Sequence, residues 1–280
     1  TPEHLISLHA LGLVGIQETP EAVTLGALTS IQYIVDSQLM IQQFPALQKA
    51  CSQIAGPQLR RMGTVGGNLC LDTRCLYINQ SYFWRSALGF CLKKDGTVCH
   101  VVKGGQHCVA AASNDAALPL LLYNASVHLY SKRHRRTVWL RDFYLQDGIK
   151  NTCLEDDEIL THVSIPRPSP ELWCSFEKLR LRRSIDFPLL NVAASVTCEL
   201  DQPLRGMAIV VSCLGARPKY LSLDRLVAGR LLDRALIDQV EEHAYAACKP
   251  LTSLATDPQW RRDMVRVLVR RVLTGLAASS

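Results

Sequence analysis

The sequence lacks the features that mark several large classes of protein. Its 280 residues contain no apolar run near the ~20 residues that a membrane span requires. The N-terminal stretch TPEHLISLHALGLVGIQ has neither a basic segment nor a small-residue cleavage site, so we expect no secretory signal. Aromatic residues make up only 6%, and the net charge of +6 has one clear cluster, KRHRR at 132–136. We therefore predict neither a membrane protein nor a nucleic-acid-binding protein, and we interpret KRHRR as a solvated turn between two strands.

Signatures of self-sufficient hydrolases are missing as well. There is no Ser-His-Asp or Cys-His nucleophilic arrangement, no H-E-x-x-H motif and no paired-carboxylate pattern. Neither a Walker A loop nor a G-x-G-x-x-G fingerprint is present. Any chemistry is therefore expected to be redox chemistry that bound cofactors carry.

Cysteine, in contrast, is abundant. The chain has 11 cysteines, an odd number that argues against a complete disulfide framework. Without an export signal, such a count predicts a cytoplasmic protein whose thiols are reduced. Most of these cysteines fall in helix-like or strand-like runs, where we interpret them as small core residues.

Four cysteines lie in a loop-like stretch that has little core of its own. They are Cys75, Cys91, Cys99 and Cys108, separated by 16, 8 and 9 residues. Four thiolates are what a tetrahedral zinc site or a [4Fe–4S] cluster requires. The absence of a C-x-x-C pair weighs against structural zinc, and widely spaced loop ligands are compatible with a cluster.

Three neighbouring residues keep other ligand sets open. Cys70 lies five residues before Cys75 and is able to replace one of the four cysteines. His100 and His107 are close enough in sequence for a mixed His/Cys site. Inert buried thiols are the remaining alternative.

The glycine-rich stretch GTVGGN, residues 63–68, precedes these cysteines. Gly66 and Gly67 permit positive φ and a close approach of backbone to ligand, and successive N–H groups in such a turn form an anion-binding nest. Thr64 and Asn68 add side-chain hydrogen bonds. A simple chain reversal is the alternative.

A second polar segment, FEKLRLRRSIDFPLL, predicts Lys178 on a strand. Arg182, Arg183 and Asp186 then occupy the following turn. The segment is either a charged hairpin or a place where a lysine and an aspartate reach a bound cofactor.

The remaining patterns predict alternating helices and strands. Thr29 or Ser30 is expected to cap one helix, and Pro45 to begin another. The stretch AGPQLRRMGTVGGN is rich in Gly and Pro, so we expect these residues to determine its backbone conformation. EDDEILTHVSIP predicts a strand ending at Pro166, and RPSPE, residues 167–171, predicts a linker. Three strand-like runs and two helices follow: WCSFEKLRL, LLNVAASVTCEL, GMAIVVSCLG, DRALIDQVEEHAYAAC and PQWRRDMVRVLVRRVLTGLA.

Taken in order, several motifs resemble the flavoprotein subunits of the xanthine dehydrogenase and carbon monoxide dehydrogenase family. They are GALTSI, AGPQLRRMGTVGGNL, ASNDAALPLLLYNASV, DDEILTHVSIPRP, FEKLRLRRSIDFPLLNVAASV and PQWRRDMVRVLVRRVL. The resemblance covers essentially the whole chain. It implies a two-part α+β subunit of the molybdenum hydroxylase type, with a PCMH-type FAD-binding domain over 1–165. A C-terminal domain like that of the carbon monoxide dehydrogenase flavoprotein is implied over 172–280.

Residues 71–108 form an insertion relative to most of that family. NLCLDTRCLYINQSYFWRSALGFCLKKDGTVCH resembles the extra cluster-binding loop of 4-hydroxybenzoyl-CoA reductase β subunits. The resemblance implies that Cys75, Cys91, Cys99 and Cys108 hold a [4Fe–4S] cluster and that Cys70 does not. We expect a basic docking face for an acidic ferredoxin near these ligands, formed by Lys93, Lys94, Lys103 and His107.

The resemblance also implies FAD contacts, position by position. The positions that match are Ile54, Thr64, Gly66, Gly67, Asn68, Asp115, Leu160 and Lys178. The family's first subdomain, with a pyrophosphate loop similar to A-G-G-T-D, has no counterpart in this sequence. We therefore expect that the sequence, which starts at Thr1, is a fragment.

The implied function is electron transfer within a complex, in which this chain is not active alone. The partners would be a molybdenum-cofactor subunit and a [2Fe–2S] subunit, in a dimer of heterotrimers, with ferredoxin as electron donor. The implied reaction is reductive dehydroxylation of 4-hydroxybenzoyl-CoA. The alternatives are a related hydroxylase that oxidises an aromatic compound or N-heterocycle, and a zinc-stabilised scaffold without flavin.

Overall fold

A computed structural model describes residues 3–278 as two antiparallel sheets with helices around them. The strands are β1 (Ile16–Glu18), β2 (Ala22–Gly26), β3 (Ser126–Tyr130), β4 (Arg135–Trp139), β5 (Ile159–Pro166), β6 (Leu172–Leu179), β7 (Leu190–Thr197), β8 (Gly206–Ser212) and β9 (Lys219–Ser222). The helices are α1 (Ile31–Asp36), α2 (Gln38–Gln43), α3 (Pro45–Ser52), α4 (Pro57–Met62), α5 (Val65–Leu69), α6 (Tyr82–Ala87), α7 (Ala117–Leu122), α8 (Leu140–Phe143), α9 (Asp224–Val227), α10 (Arg234–Ala247) and α11 (Pro258–Ala277). Among the described residues, no helix combines the length and apolar character needed to cross a membrane.

The two sheets divide the chain at the predicted linker. The first sheet has the order β1-β2-β5-β3-β4 and ends at Pro166, and the second has the order β6-β7-β8-β9 and begins at Leu172. The α+β fold class predicted from the sequence is therefore confirmed.

Strand β7 contributes side chains to both hydrophobic cores of the protein. Successive side chains of a strand point to opposite faces, so a strand covered on both sides is apolar throughout. Ala193 belongs to the core that also contains α3 and α7, whereas Val192 and Ala194 belong to the core beneath α10 and α11. The second sheet thus has one face against the first half of the chain and the other against the C-terminal helices.

Local signals for helix ends mostly agree with the structure. The Ser30 hydroxyl accepts a hydrogen bond from the Tyr33 N–H and caps α1, and Pro45 begins α3. Within the Gly- and Pro-rich stretch, Pro57 begins helix α4. Proline at the first helical position loses no hydrogen bond, so the Gly-Pro pair marks a helix start rather than a loop.

The KRHRR cluster is a turn only in part, because Arg136 lies in β4 and forms a bidentate ion pair with buried Glu158. The two N–H···O distances are both 2.7 Å. The Glu155 N–H and His134 also hydrogen-bond this carboxylate. The Arg136 guanidinium is the main reason that the pKa of Glu158 falls from 4.5 to about 2.

This ion pair predicts loss of stability in acid. A carboxyl with a depressed folded-state pKa stabilises the fold above its unfolded-state pKa and loses that contribution as the pH falls. We expect Glu158→Gln to lower the free energy of unfolding by about 3 kcal/mol at pH 7. By pH 3.5 the difference from wild type should narrow by about 1 kcal/mol. Urea unfolding at both pH values measures this, and a difference that does not change with pH would contradict the prediction.

Candidate functional site

The glycine loop is folded as a helical turn. Residues 65–69 form α5, which Thr64 caps by accepting a hydrogen bond from the Gly67 N–H at 3.1 Å. Gly66 packs so closely that an added Cβ would lie 2.8 Å from the Ala27 carbonyl oxygen. Position 66 therefore requires glycine, but the atom that leaves no room for a side chain belongs to the protein's own backbone and not to a ligand.

The expected backbone nest is not found. Neither Gly66 nor Gly67 is among the glycines with positive φ. The N–H groups of Val65, Gly66 and Asn68 donate to the carbonyls of Thr29, Ala27 and Thr64, at 3.0, 2.9 and 2.9 Å. The backbone of Gly67 is exposed, and because glycine has no side chain a ligand is able to approach it closely.

Lys178 and Asp115 meet in a buried ion pair rather than at the surface. Their side chains are 1% and 6% exposed, and Lys178 Nζ lies 2.7 Å from Asp115 Oδ2. The Asn191 amide donates to the other carboxylate oxygen at 2.8 Å. Burial raises the pKa of Asp115, while the Lys178 ammonium beside it acts in the opposite direction.

Hydrogen bonds connect most of the predicted flavin contacts. Lys178 Nζ donates to the Gln53 carbonyl at 3.1 Å, next to Ile54. On the other side of Asp115, the Asn114 amide donates to the Asn68 carbonyl at 2.8 Å, and the Ala116 N–H donates to Asn68 Oδ1 at 3.2 Å.

Leu160 is joined to this group less directly. It is buried in β5, where the neighbouring Thr161 carbonyl accepts a hydrogen bond from the Ala27 N–H at 2.8 Å. Ala27 in turn accepts from Gly66. Sequence reasoning missed Gln53, Asn114 and Asn191, because these residues act through partners far away in the chain that no local spacing reveals.

The four cysteines of residues 71–108 come together. Cys75, Cys91, Cys99 and Cys108 line one small cavity, which we call the thiol cavity. Burial, followed by the thiols of Cys108, Cys91 and Cys99, raises the pKa of Cys75. Burial also raises the pKa of Cys108, although the Ala110 N–H and the Lys93 ammonium partly offset it.

The backbone around the thiol cavity packs closely against two of the cysteines. An added Cβ at Gly148 would lie 2.7 Å from Cys108 Sγ, and one at Gly96 would lie 2.6 Å from the Cys91 nitrogen. The Val102 N–H donates to Cys99 Sγ at 3.4 Å. Both glycines are therefore required by close contacts with the cysteines, which spacing alone did not indicate.

The four thiols line one cavity but are not arranged as a mononuclear metal site in the described residues. Within residues 3–278, no three His, Cys, Asp or Glu side chains are arranged to hold one metal ion. His100 lines the cavity, but its Nε2 is hydrogen-bonded to the Phe90 carbonyl at 2.6 Å. Four thiols that line one cavity are a donor set that suits either a [4Fe–4S] cluster or a tetrahedral zinc ion.

Cys70 does not line the thiol cavity and packs against the main core instead. Burial raises its pKa to about 11. Its thiol is close enough to Tyr144 to raise the pKa of that phenol further, in addition to burial.

The expected basic docking face is wrong at Lys93. Its side chain is 9% exposed and its ammonium donates to Asp72 at 2.7 Å and to Thr73 at 2.8 Å, with a further bond to the Gly148 carbonyl. Lys93 therefore fastens the loop. Lys94, Lys103 and His107 are exposed.

Comparisons with known proteins cover nearly the whole chain. Residues 1–168 match the family model described as the FAD binding domain in molybdopterin dehydrogenase, and residues 175–276 match the CO dehydrogenase flavoprotein C-terminal domain.

The carbon monoxide dehydrogenase medium chain of Afipia carboxidovorans is 26% identical over 98% of this chain and 81% of its own length. The nicotine 6-hydroxylase medium subunit of Paenarthrobacter nicotinovorans is 26% identical over 95% of this chain and 79% of its own length. A crystal structure of the Cu,Mo-CO dehydrogenase superposes with a TM-score of 0.76 at 25% identity, covering 100% of this chain and 84% of that one.

Proposed function

The chain belongs to the family of FAD-binding domains of molybdopterin dehydrogenases, an oxidoreductase subunit family, and from that premise we propose that it is the electron-transfer subunit of a molybdenum-dependent complex. FAD and a [4Fe–4S] cluster would supply one-electron and two-electron redox chemistry when bound. The thiol cavity is the main observation in support of this proposal. Its four cysteines come from one segment, residues 71–108, of a chain that belongs to a family of FAD-binding domains.

The flavin would lie against the surface around α5. Gly67 presents exposed backbone there, and Thr64 and Asn68 flank it. Asp115 and Lys178 are buried and bonded to each other, so in this proposal they hold the Gln53–Ile54 and Asn114–Ala116 segments in position.

The cluster would be held by Cys75, Cys91, Cys99 and Cys108. Several hydrogen bonds, in addition to that of Lys93 with Gly148, fasten the insertion to the body of the protein. The Leu76 N–H donates to the Ser253 carbonyl at 2.7 Å, the Arg74 N–H to the Ala111 carbonyl at 2.9 Å, and Thr73 Oγ1 to the Gly148 carbonyl at 2.7 Å. A rigid frame of this kind keeps ligand positions fixed, which is what a redox centre that changes charge requires.

We propose the reductive reaction as the function of the complex. In it, ferredoxin would donate electrons through this chain towards [2Fe–2S] and molybdenum subunits that dehydroxylate 4-hydroxybenzoyl-CoA. The support is the resemblance of residues 71–108 to the cluster loop of such reductases. The exposed cations Lys94 and Lys103 would face an acidic donor.

The second candidate is a related hydroxylase that oxidises an aromatic compound or N-heterocycle. The nicotine 6-hydroxylase subunit among the relatives favours it. Both candidates use the same fold and the same flavin surface, so the substrate of the molybdenum subunit separates them. The zinc scaffold is kept as a further outcome of the metal analysis, because four thiolates are also the ligand set of a tetrahedral zinc ion.

The proposal is tested by purifying the assembled complex without oxygen and measuring flavin, iron, acid-labile sulfide and zinc. We expect one FAD per chain, and about four irons and four sulfides beyond those of the partner subunits. Activity with 4-hydroxybenzoyl-CoA and reduced ferredoxin would support the reductase, whereas oxidation of an N-heterocycle alone would support the second candidate. One zinc and no extra sulfide would overturn the cluster.

A further inference from the structure

A large basic cleft lies outside the surface assigned to the flavin. It has a volume of about 760 Å³ and runs between residues 214–220 and residues 246–251, with Cys108 and Val109 at one side. The basic residues of its wall are Arg141, Arg217, Lys219 and Lys249. None of the described residues that line it is acidic.

The positive charges of this cleft are not neutralised by carboxylates. Within residues 3–278, Arg217 and Lys249 form no ion pair and no side-chain hydrogen bond. Arg141 donates to the neutral amide oxygen of Asn124 at 2.9 Å, and Lys219 to the Ala247 carbonyl at 2.5 Å. On the surface of α11, by contrast, Arg266 and Arg270 each pair with a glutamate. The cleft therefore concentrates unpaired positive charge in a concave space.

The rest of the wall is apolar and aromatic. Leu121, Leu214 and Pro218 lie beside the Tyr220 ring, which is 43% exposed. Small-ligand sites occupy roughly 300–1,000 Å³ and combine such apolar walls with a few charged groups. Guanidinium groups bind phosphate oxygens in a bidentate manner, and an exposed tyrosine ring offers a stacking face.

A buried arginine links two segments at the cleft. The Arg261 guanidinium, which is 0% exposed, donates to the Cys213 carbonyl at 3.0 Å and also to the Leu251 carbonyl. Leu251 lines the cleft, and Cys213 directly precedes the lining residue Leu214. The cleft is thus preformed, which lowers the entropic cost of binding.

We propose that this cleft binds a nucleotide-type polyphosphate anion, with the phosphates among the cations and the base against Tyr220. The ligand would lie beside Cys108, a residue that the cleft shares with the thiol cavity. This site is separate from the flavin surface, and it stands or falls independently of the proposed function.

The test is calorimetric titration of the assembled, FAD-loaded complex with ADP, adenosine and inorganic pyrophosphate. We expect saturable ADP binding that is at least about tenfold tighter than that of adenosine or pyrophosphate. Arg217→Glu with Lys249→Glu should weaken ADP binding at least about tenfold. The charge-matched control, Arg225→Glu with Arg271→Glu, changes exposed arginines outside the cleft and should leave ADP binding unchanged.

Four results would overturn the proposal. The first is ADP binding that does not saturate at millimolar concentration, and the second is an equal loss in the two double variants. The third is release of FAD by ADP, which would place the nucleotide in the flavin site. If the Arg217/Lys249 variant instead fails to assemble with its partner subunits while the control assembles, the cleft is a subunit interface and the proposal is wrong.

Discussion

Replacement of Lys178 by methionine is expected to lower the free energy of unfolding by about 3–5 kcal/mol. The substitution keeps most of the side-chain volume but leaves the buried Asp115 carboxylate without its cation. An uncompensated charge at such a site is far more costly than the pair itself contributes. Urea unfolding at pH 7 measures the difference.

Two further variants separate charge from packing. Lys178→Met combined with Asp115→Asn removes both charges and should recover most of the lost stability, because replacing a buried pair is often nearly neutral. The matched control is Lys49→Met, which removes a lysine from a pair with Glu177 at the same 2.7 Å, where the Lys49 side chain is 41% exposed. That control should cost less than about 1 kcal/mol.

The pH dependence gives an independent signature. Without Lys178, the pKa of Asp115 should rise further, since burial already raises it and the ammonium is what opposes that rise. When the pKa of an acid is higher in the folded state than in the unfolded state, the free energy of unfolding decreases as the pH increases. The deficit of Lys178→Met should therefore be smaller at pH 5 than at pH 8. Equal deficits in the Lys178 and Lys49 variants, or no recovery in the double variant, would contradict this account.

The features predicted best from the sequence are those that depend on residues close to one another along the chain. The cap of α1, predicted at Thr29 or Ser30 and found at Ser30, follows local rules of chain termination, as does the end of β5 at Pro166. The C-terminal helices α10 and α11 follow from the periodicity of their apolar residues. The apolar runs of β6, β7 and β8 likewise predicted strands, since these strands are long and covered by packing.

Features set by distant contacts were not predictable in this way. The GTVGGN stretch is helical because Ala27 and Thr29 accept the N–H groups of its first turn, and no local signal names those acceptors. Lys93 looks like a free surface lysine in the sequence, yet it is fastened by Asp72, Thr73 and Gly148. The FAD contacts implied by the resemblance remain predictions.

Replacement of any one of Cys75, Cys91, Cys99 or Cys108 by serine is expected to remove most of the iron and sulfide of this chain from the assembled complex. Each variant would leave one iron of the cluster without its thiolate, and a serine hydroxyl is much less acidic than a thiol. Cys70→Ser is the matched control, because Cys70 lies close in sequence but packs against the main core. It should keep the full complement of iron.

This comparison also distinguishes the cluster from the other interpretations of the thiols. Iron, sulfide and zinc are measured in each variant after anaerobic purification, and circular dichroism confirms that the variants are folded. If the thiols are inert core residues, all five variants will have the iron content of wild type. A mononuclear zinc site would give one zinc that is lost with the same four cysteines and no loss of sulfide. Iron loss in Cys70→Ser as large as in the other four would mean that the ligand set is wrong, since its thiol lies beside Tyr144 rather than at the cavity.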